Sequence, residues 1–165
     1  MEVIMLFKEI NKQEFDELAP KMFSILSSNM NIIHSEEVLL DDNFFIWFKY
    51  HKEQFLKKIF IVFEDKNTLI GYFQYSIVDD SLLIEEIEII SSYQAHFGVL
   101  NGLFRFMRYK IPDNITKVYA YISKNNPVSR KLAKKLGLSV VKENVSGTSF
   151  LYSGEIQPIL KHYMK

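Results

Sequence analysis

The sequence contains no cysteine, and glycine and proline are scarce, with six and four residues among 165. A chain without cysteine forms no disulfide, offers no thiol nucleophile and has no thiolate ligand for a metal ion. The four histidines lie too far apart in the sequence for a local metal-binding motif: His34, His51, His96 and His162. We therefore expect no metal centre in this protein.

The chain also lacks an excess of charge of either sign and any long hydrophobic run. Lys and Arg together number 20, as do Asp and Glu, so net charge does not favour a nucleic-acid or acidic-lipid partner. No uncharged apolar stretch approaches the length of about 18 residues that suggests a membrane span. The apolar run at the N-terminus contains Glu2 and is too short for a signal peptide. We expect a cytoplasmic protein that binds neither nucleic acid nor membrane.

Hydrophobic residues make up 48% of the chain, and its aromatic content is high, with 14 Phe and 9 Tyr. This composition is sufficient for a sizeable core, and it predicts a core or cleft walled with aromatic rings. A length of 165 residues favours a single domain over residues 1–165.

Hydrophobic periodicity places helices and strands along the whole chain. Asn11 and Glu14 form a capping pair that predicts a helix ending in the polar stretch 27–31. The next helical pattern, 43–58, is rich in aromatic residues and indicates either a helix packed against a sheet or an aromatic wall over a substrate cleft. Strands are predicted at 2–8, 59–63, 69–78, 82–90, 115–123, 138–142 and 149–153, and further helices at 99–107, 127–136 and 155–163.

The predicted order of elements is βαα–βββ–αβ–αββ, an α/β (α+β) fold. It places a mixed, mostly antiparallel central sheet of about six or seven strands between helices on its faces. Strand 82–90, the helix after it and strand 115–123 form one crossover, so these two strands should be parallel. A strand that leads into a helix N-terminus also makes an anion site, because unpaired N–H groups and the positive end of the helix dipole face outward there.

Two motifs carry a resemblance to a known family. The helix motif is Asn126-Pro-Val-Ser-Arg-Lys-Leu-Ala-Lys-Lys-Leu-Gly-Leu138, which is similar to the pattern N-x-x-A/S-x-x-L-Y-x-K-x-G-F. The strand motif is Ile84-Glu-Glu-Ile-Glu-Ile-Ile-Ser-Ser-Tyr-Gln94, which is similar to a strand that ends in V-x-P-x-Y-Q/R. Together with the element order, these motifs resemble the GNAT superfamily of acetyl-CoA-dependent N-acetyltransferases over about residues 60–153.

The resemblance implies an enzyme that transfers an acetyl group from acetyl-CoA, its co-substrate, to a primary amine on a small molecule or a peptide, without a metal. It implies that the N-terminal helices, 11–58, line the acceptor side, and it leaves a homodimer open. In the family, a loop Q/R-x-x-G-x-G/A closes its backbone N–H groups around the CoA pyrophosphate. The cofactor-binding residues implied in this way are Ile89, Ile90, Gln94, Ala95, His96, Phe97, Gly98, Val99, Asn126 and Ser129.

The carboxylates of the strand motif are the candidate catalytic groups. Alternation along a strand puts Glu86 and Glu88 on one face and Glu85 on the other. One of the pair could border a wet cleft with a raised pKa and deprotonate the acceptor ammonium, and the resemblance favours Glu86. The alternative is that these carboxylates only pair with lysines or reach solvent. Backbone N–H groups near Ile89 and Ile90 would polarise the thioester carbonyl.

The sequence departs from the family pattern in two places. Phe97 and Val99 occupy the positions of the two glycines in the loop, and Ala133 occupies the position of the tyrosine that protonates the CoA thiolate. Tyr119 or Tyr121 could supply that proton instead, or both could be packing residues. These departures motivate a second hypothesis, a catalytically degenerate protein of this fold that acts as a ligand-binding or interaction module.

Overall fold

A computed structural model describes residues 5–33, 41–94 and 98–163 of the chain. Its strands are β1 Met5–Glu9, β2 Ile59–Asp65, β3 Thr68–Val78, β4 Ser81–Ile89, β5 Lys117–Ser123, β6 Ser139–Glu143 and β7 Ser149–Glu155. Its helices are α1 Lys12–Ile33, α2 Asp41–Gln54, α3 Val99–Arg108, α4 Pro127–Lys135 and α5 Ile156–Tyr163. Short 3-10 turns follow α2 and β4, at Phe55–Lys57 and Ser91–Tyr93. The order predicted from the sequence is confirmed, although the first residues of the predicted strand 2–8 lie outside the described ranges.

In the described part of the chain, seven strands form one sheet in the order β1-β2-β3-β4-β5-β7-β6. β1 pairs antiparallel with β2, and β7 pairs antiparallel with both β5 and β6. β4 and β5 are parallel, from Ser81 opposite Lys117 to Ile84 opposite Ala120. The mixed, mostly antiparallel sheet and the parallel pair around α3 are therefore as predicted.

The described residues form two compact units. The first runs to Gln74 and adds Glu86–Val99, and the second consists of Tyr75–Glu85 and the chain from Leu100 on. The core of the second unit is built from apolar side chains of its strands and helices, among them Leu82, Leu103, Met107, Val118, Ala120, Leu151 and Ile159. No helix within the described ranges is long and apolar enough to cross a membrane.

Aromatic rings from α1, α2 and β2 pack together in the first unit. The ring centroid of Phe15 lies 5.0 Å from that of Phe60 and 5.7 Å from that of Phe48, with the second pair stacked. The buried core around these rings is Ile10, Phe15, Ala19, Met22, Phe60, Val62 and Tyr72. Aromatic residues of α2 thus pack the helix onto this core. This agrees with the first of the two interpretations of the aromatic pattern, a helix packed against a sheet.

α1 begins where the sequence predicts and ends later. The N–H of Glu14 donates to Asn11 Oδ1 at 2.8 Å, and the N–H of Asn11 donates to Glu14 Oε1 at 3.1 Å, so the capping box is formed. The predicted end within 27–31 is wrong, because the helix continues to Ile33. The polar stretch does not stop it, since Asn29 is buried and its side chain finds hydrogen-bond partners on β4.

β3 and β4 approach each other closely at Gly71. A Cβ atom at this position would lie 2.5 Å from the carbonyl oxygen of Glu88 and 2.9 Å from Phe63 Cδ2. Real Cβ atoms do not come so close, and only glycine leaves the necessary space. The glycine therefore sets where the end of β4, with its carboxylates, lies relative to β3.

Candidate active site

Two of the three carboxylates of β4 contact helices of the N-terminal part of the chain. Glu86 contacts Trp47 of α2, and Glu88 contacts Asn29 of α1. Glu85 instead lies within reach of Ser76 on β3, whose hydroxyl donates to it at 3.4 Å. Glu86 and Glu88 both act on the buried Tyr72, so they lie together as predicted. The separation of Glu85 from both stays a prediction.

Two side chains of α2 hold Glu86. Trp47 Nε1 donates to Glu86 Oε1 at 3.1 Å. His51 Nε2 lies 3.1 Å from Glu86 Oε2, without the angles of a hydrogen bond, and the His51 side chain is only 4% exposed. Sequence reasoning did not single out His51. The signal that could have found it is its spacing of four residues from Trp47, which puts both rings on one face of the helix.

Glu88 lies in an enclosed environment and accepts one hydrogen bond from α1. Asn29 Nδ2 donates to Glu88 Oε2 at 2.7 Å. Burial raises the pKa of Glu88 to about 7, the negative charge of Glu86 acts in the same direction, and the Asn29 hydrogen bond opposes both. A carboxyl group with a pKa near neutrality can take up and release a proton at ordinary pH, as a general base must.

Tyr72 on β3 lies beside the two carboxylates. Its side chain is fully buried, and its hydroxyl lies close to the Glu86 carboxylate. Burial, followed by the charges of Glu86 and Glu88, raises the pKa of the Tyr72 phenol well above its ordinary range. The phenol therefore stays protonated at neutral pH.

The backbone at the end of β4 makes hydrogen bonds through the N–H of Ile90 and the carbonyl of Ile89. The N–H of Ile90 donates to the carbonyl of Ile70 at 2.9 Å, so the expectation that it faces a thioester does not hold in this structure. Strand alternation directs the N–H of Ile89 to the opposite side, away from β3. The Ile89 carbonyl accepts hydrogen bonds from Gln94 Nε2 at 2.8 Å and Asn29 Nδ2 at 3.1 Å. Gln94 thus directs its amide back onto the strand.

The loop after β4 leads into the N-terminus of α3. Its central residues, 95–97, which include three of the predicted cofactor contacts, lie outside the described ranges. Gly98 is exposed and has a φ of +65°, a left-handed conformation that favours glycine. Val99 begins α3 with its side chain buried. Ahead of these residues, the hydroxyl of Tyr93 donates to the buried carboxylate of Asp65 and ties the loop to the end of β2.

The sequence matches no family model, and no curated protein is similar to it. Solved structures, however, are similar over nearly the whole chain. An acetyltransferase from Thermus thermophilus has a TM-score of 0.71 at 16% identity, over 94% of this chain and 99% of its own. PaiA N-acetyltransferase from Thermoplasma acidophilum, in complex with coenzyme A, has a TM-score of 0.68 at 15% identity, over 92% and 99%. Spermidine N-acetyltransferase from Vibrio cholerae, in complex with CoA and spermine, has a TM-score of 0.61 at 14% identity, over 98% of each chain.

The chain has the GNAT acetyltransferase fold. This confirms the architecture that the two sequence motifs imply. In this GNAT fold, the helix motif forms α4, and Asn126 is its N-cap. Asn126 Oδ1 accepts a hydrogen bond from the N–H of Ser129 at 3.0 Å, and Pro127 occupies the first turn. The matched asparagine therefore has a structural role, and cofactor contacts from Asn126 and Ser129 stay a prediction.

The GNAT position that carries a tyrosine in many members is an inward-facing position of α4 here. Ala133 is buried, with 3% of its surface exposed. On β5, Tyr121 is half-exposed and Tyr119 is partly buried. The assignment of either tyrosine as general acid stays a prediction.

Proposed function

We propose that this protein transfers an acetyl group from acetyl-CoA to a primary amine, with Glu88 as the general base. The observation that carries the proposal is the carboxyl group of Glu88, whose pKa of about 7 matches the task, on the face of β4 covered by α1 and α2. The sequence favoured Glu86 for this role. The choice moves to Glu88 because Trp47 and His51 hold Glu86 from α2.

The proposed reaction uses the carboxylate of Glu88 once in each turnover. Acetyl-CoA would supply the acetyl group as a thioester. Glu88 takes one proton from the acceptor ammonium, and the nitrogen lone pair forms the new bond to the thioester carbonyl carbon. The carbon–sulfur bond breaks with its electron pair on sulfur, and the second proton of the nitrogen neutralises the departing thiolate. The N–H of Ile89, which points away from β3, is the candidate donor to the carbonyl oxygen.

Features of the loop after β4 support a site for the CoA phosphates. Gly98 adopts the left-handed conformation immediately before α3, and a side chain there would meet no atom within 4 Å. The first N–H groups of a helix have no partners within the helix and favour an anion. The predicted contacts at residues 94–99 are retained in the proposal on this basis.

The acceptor class is an amine that is cationic when free, on a small molecule or a peptide. Glu86 and Glu88 together place negative charge beside the indole of Trp47, and an ammonium group is attracted to both carboxylates and ring faces. Support comes from a neighbour of the same fold, the spermidine N-acetyltransferase solved with CoA and spermine.

Acetyl-CoA should stabilise the folded protein against heat. A ligand at 100 times its Kd adds about 2.7 kcal/mol, which corresponds to a rise in Tm of roughly 5–10 °C for a chain of this size. Differential scanning fluorimetry with and without millimolar acetyl-CoA measures the shift, and GTP at the same concentration is the control for a polyanionic nucleotide. An unchanged Tm would count against any acetyl-CoA-dependent activity.

Glu88→Gln should lower kcat/KM for acetyl transfer by about 10²–10⁴-fold, because a general base contributes that much. The readout is the release of free CoA thiol with a panel of primary amines, spermine included. Glu85→Gln is the matched control, since it removes a carboxylate from the same strand outside the Glu86–Glu88 pair. Equal activity of the Glu88 variant and the wild type would contradict the proposed base.

A non-catalytic module is the second candidate, and the buried Ala133 favours it because α4 offers no hydroxyl at that position. This candidate predicts a Tm shift with acetyl-CoA and no CoA release with any amine. Turnover with even one amine of the panel would exclude it.

A further inference from the structure

We propose that Asn29 is a positioning residue that orients Glu88 and favours its carboxylate form. The proposal rests on the proposed function for its catalytic meaning, since Asn29 acts only through Glu88. Its structural part concerns three contacts among α1, β4 and the loop that follows β4.

Asn29 is a polar residue in an unusual place. It lies in the last third of α1, in the helix interior, and only 8% of its surface is exposed. Asparagine is unfavourable in helix interiors because its amide competes for backbone groups. A buried amide also costs free energy unless its hydrogen bonds are made. A buried asparagine in a helix therefore destabilises the fold unless the surrounding residues supply hydrogen-bond partners for its amide.

The partners of Asn29 fix the orientation of its amide. Both hydrogens of Nδ2 are used, one on Glu88 Oε2 at 2.7 Å and one on the Ile89 carbonyl at 3.1 Å. Each of these partners accepts hydrogen bonds, so a flipped amide would place its oxygen against two other oxygens. Asn29 Oδ1 faces the Gln94 amide, whose Nε2 lies 3.5 Å away. The orientation is therefore determined by the surrounding groups.

This arrangement leaves Glu88 with one held oxygen and one oxygen that Asn29 does not touch. The hydrogen bond to Oε2 fixes the carboxyl plane, and it favours the charged form because a donor N–H stabilises a carboxylate. Burial and the charge of Glu86 on β4 act in the opposite direction. Of the other groups nearby, Tyr72 on β3 is a neutral buried phenol, and His51 of α2 reaches Glu86.

Removal of the donor should therefore shift the titration of Glu88 to higher pH. In Asn29→Leu, which keeps the approximate shape and loses the amide, we expect the midpoint to rise by about one pH unit or more, given that hydrogen bonds to charged groups have that magnitude. The measurement is a 13C NMR titration of side-chain carboxyl groups, with the Glu88 resonance assigned by its loss in Glu88→Gln. Ile25→Val is the matched control, because Ile25 lies one turn earlier in α1, is buried and has no polar group.

The pH profile of kcat/KM supplies the second readout. In Asn29→Leu, the acidic limb of the kcat/KM profile should shift to higher pH by the same amount as the titration midpoint. The activity should recover at high pH. A residue with only a structural role would lower activity equally at all pH values. Asn29→Asp extends the test if the leucine variant does not fold, because it keeps the size and replaces the donor with a second carboxylate. Its Glu88 midpoint should rise further.

The outcomes separate this proposal from the function on which it rests. An unchanged Glu88 midpoint in both Asn29 variants would overturn the positioning role. A raised midpoint in a protein that acetylates none of the amines would support the role of Asn29 and refute acetyl transfer. A raised midpoint accompanied by a shifted activity profile supports both.

Discussion

Glu88 illustrates how one residue can be adjusted by neighbours with opposite effects. Burial and the charge of Glu86 raise its pKa, whereas the amide of Asn29 lowers it, and the result is a value of about 7. An unpaired carboxylate in such surroundings is costly to the fold. A residue that is expensive in stability and suited to proton transfer is typical of a functional site.

The cost of this carboxylate should be visible in the pH dependence of stability. The ordinary pKa of a glutamate is 4.5, and that of Glu88 in the folded protein is about 7. The folded state thus binds the proton more tightly than the unfolded state, and stability falls as pH rises from about 4.5 to about 7. The difference of about 2.5 units corresponds to about 3 kcal/mol above pH 7.

Glu88→Gln should recover that loss. We expect the variant to be more stable than the wild type by up to about 3 kcal/mol at pH 8, with little difference near pH 4.5. Urea unfolding at both pH values measures the gain, and Glu85→Gln is the control for loss of one carboxylate from the same strand. If the gain were equal at both pH values, the titration of Glu88 would not be its cause.

Residue-scale features differ in how far the sequence could predict them. The facing of Glu86 and Glu88 follows from strand alternation alone, and the sequence predicted it correctly. Asn29 could not be predicted as a partner of Glu88, because 59 residues separate the two and no local pattern encodes that contact. The polar stretch that contains Asn29 indicated a helix end, and only the tertiary partner explains why the helix continues.

At the scale of elements, the spacing between β3 and β4 depends on the missing side chain of Gly71. Gly71→Ala would force a Cβ against the Glu88 carbonyl oxygen, at 2.5 Å in the present geometry. Relief of the contact requires the end of β4 to shift, and overpacking of this kind costs typically about 1–3 kcal/mol.

We therefore expect Gly71→Ala to lower both stability and acetyl-transfer activity, the latter because Glu88 moves with its backbone. Chemical denaturation and the CoA-release assay measure the two effects. Ile70→Val is the control: it deletes one buried methyl group from the neighbouring residue, costs about 1 kcal/mol and exerts no pressure on β4. Full activity in the alanine variant would show that the position of Glu88 tolerates the shift.

At the scale of the whole molecule, the order of elements was predictable because it depends on periodicity and turn chemistry. The capping pair at Asn11 and Glu14 and the asparagine cap of α4 are local signals, and the structure forms both. Boundaries shifted where tertiary contacts decide, as at the end of α1. The three solved structures compared above share this fold at sequence identities of 16% or less. The fold therefore depends little on particular side chains.

The position of Trp47 has a practical consequence. It is the only tryptophan of the chain, and its indole N–H is bonded directly to Glu86, with the His51 ring centroid 4.8 Å away. Indole emission depends on the charges and hydrogen bonds around the ring. All tryptophan fluorescence of this protein therefore originates beside the carboxylate pair, which provides an intrinsic optical probe of that place without a label or an added chromophore.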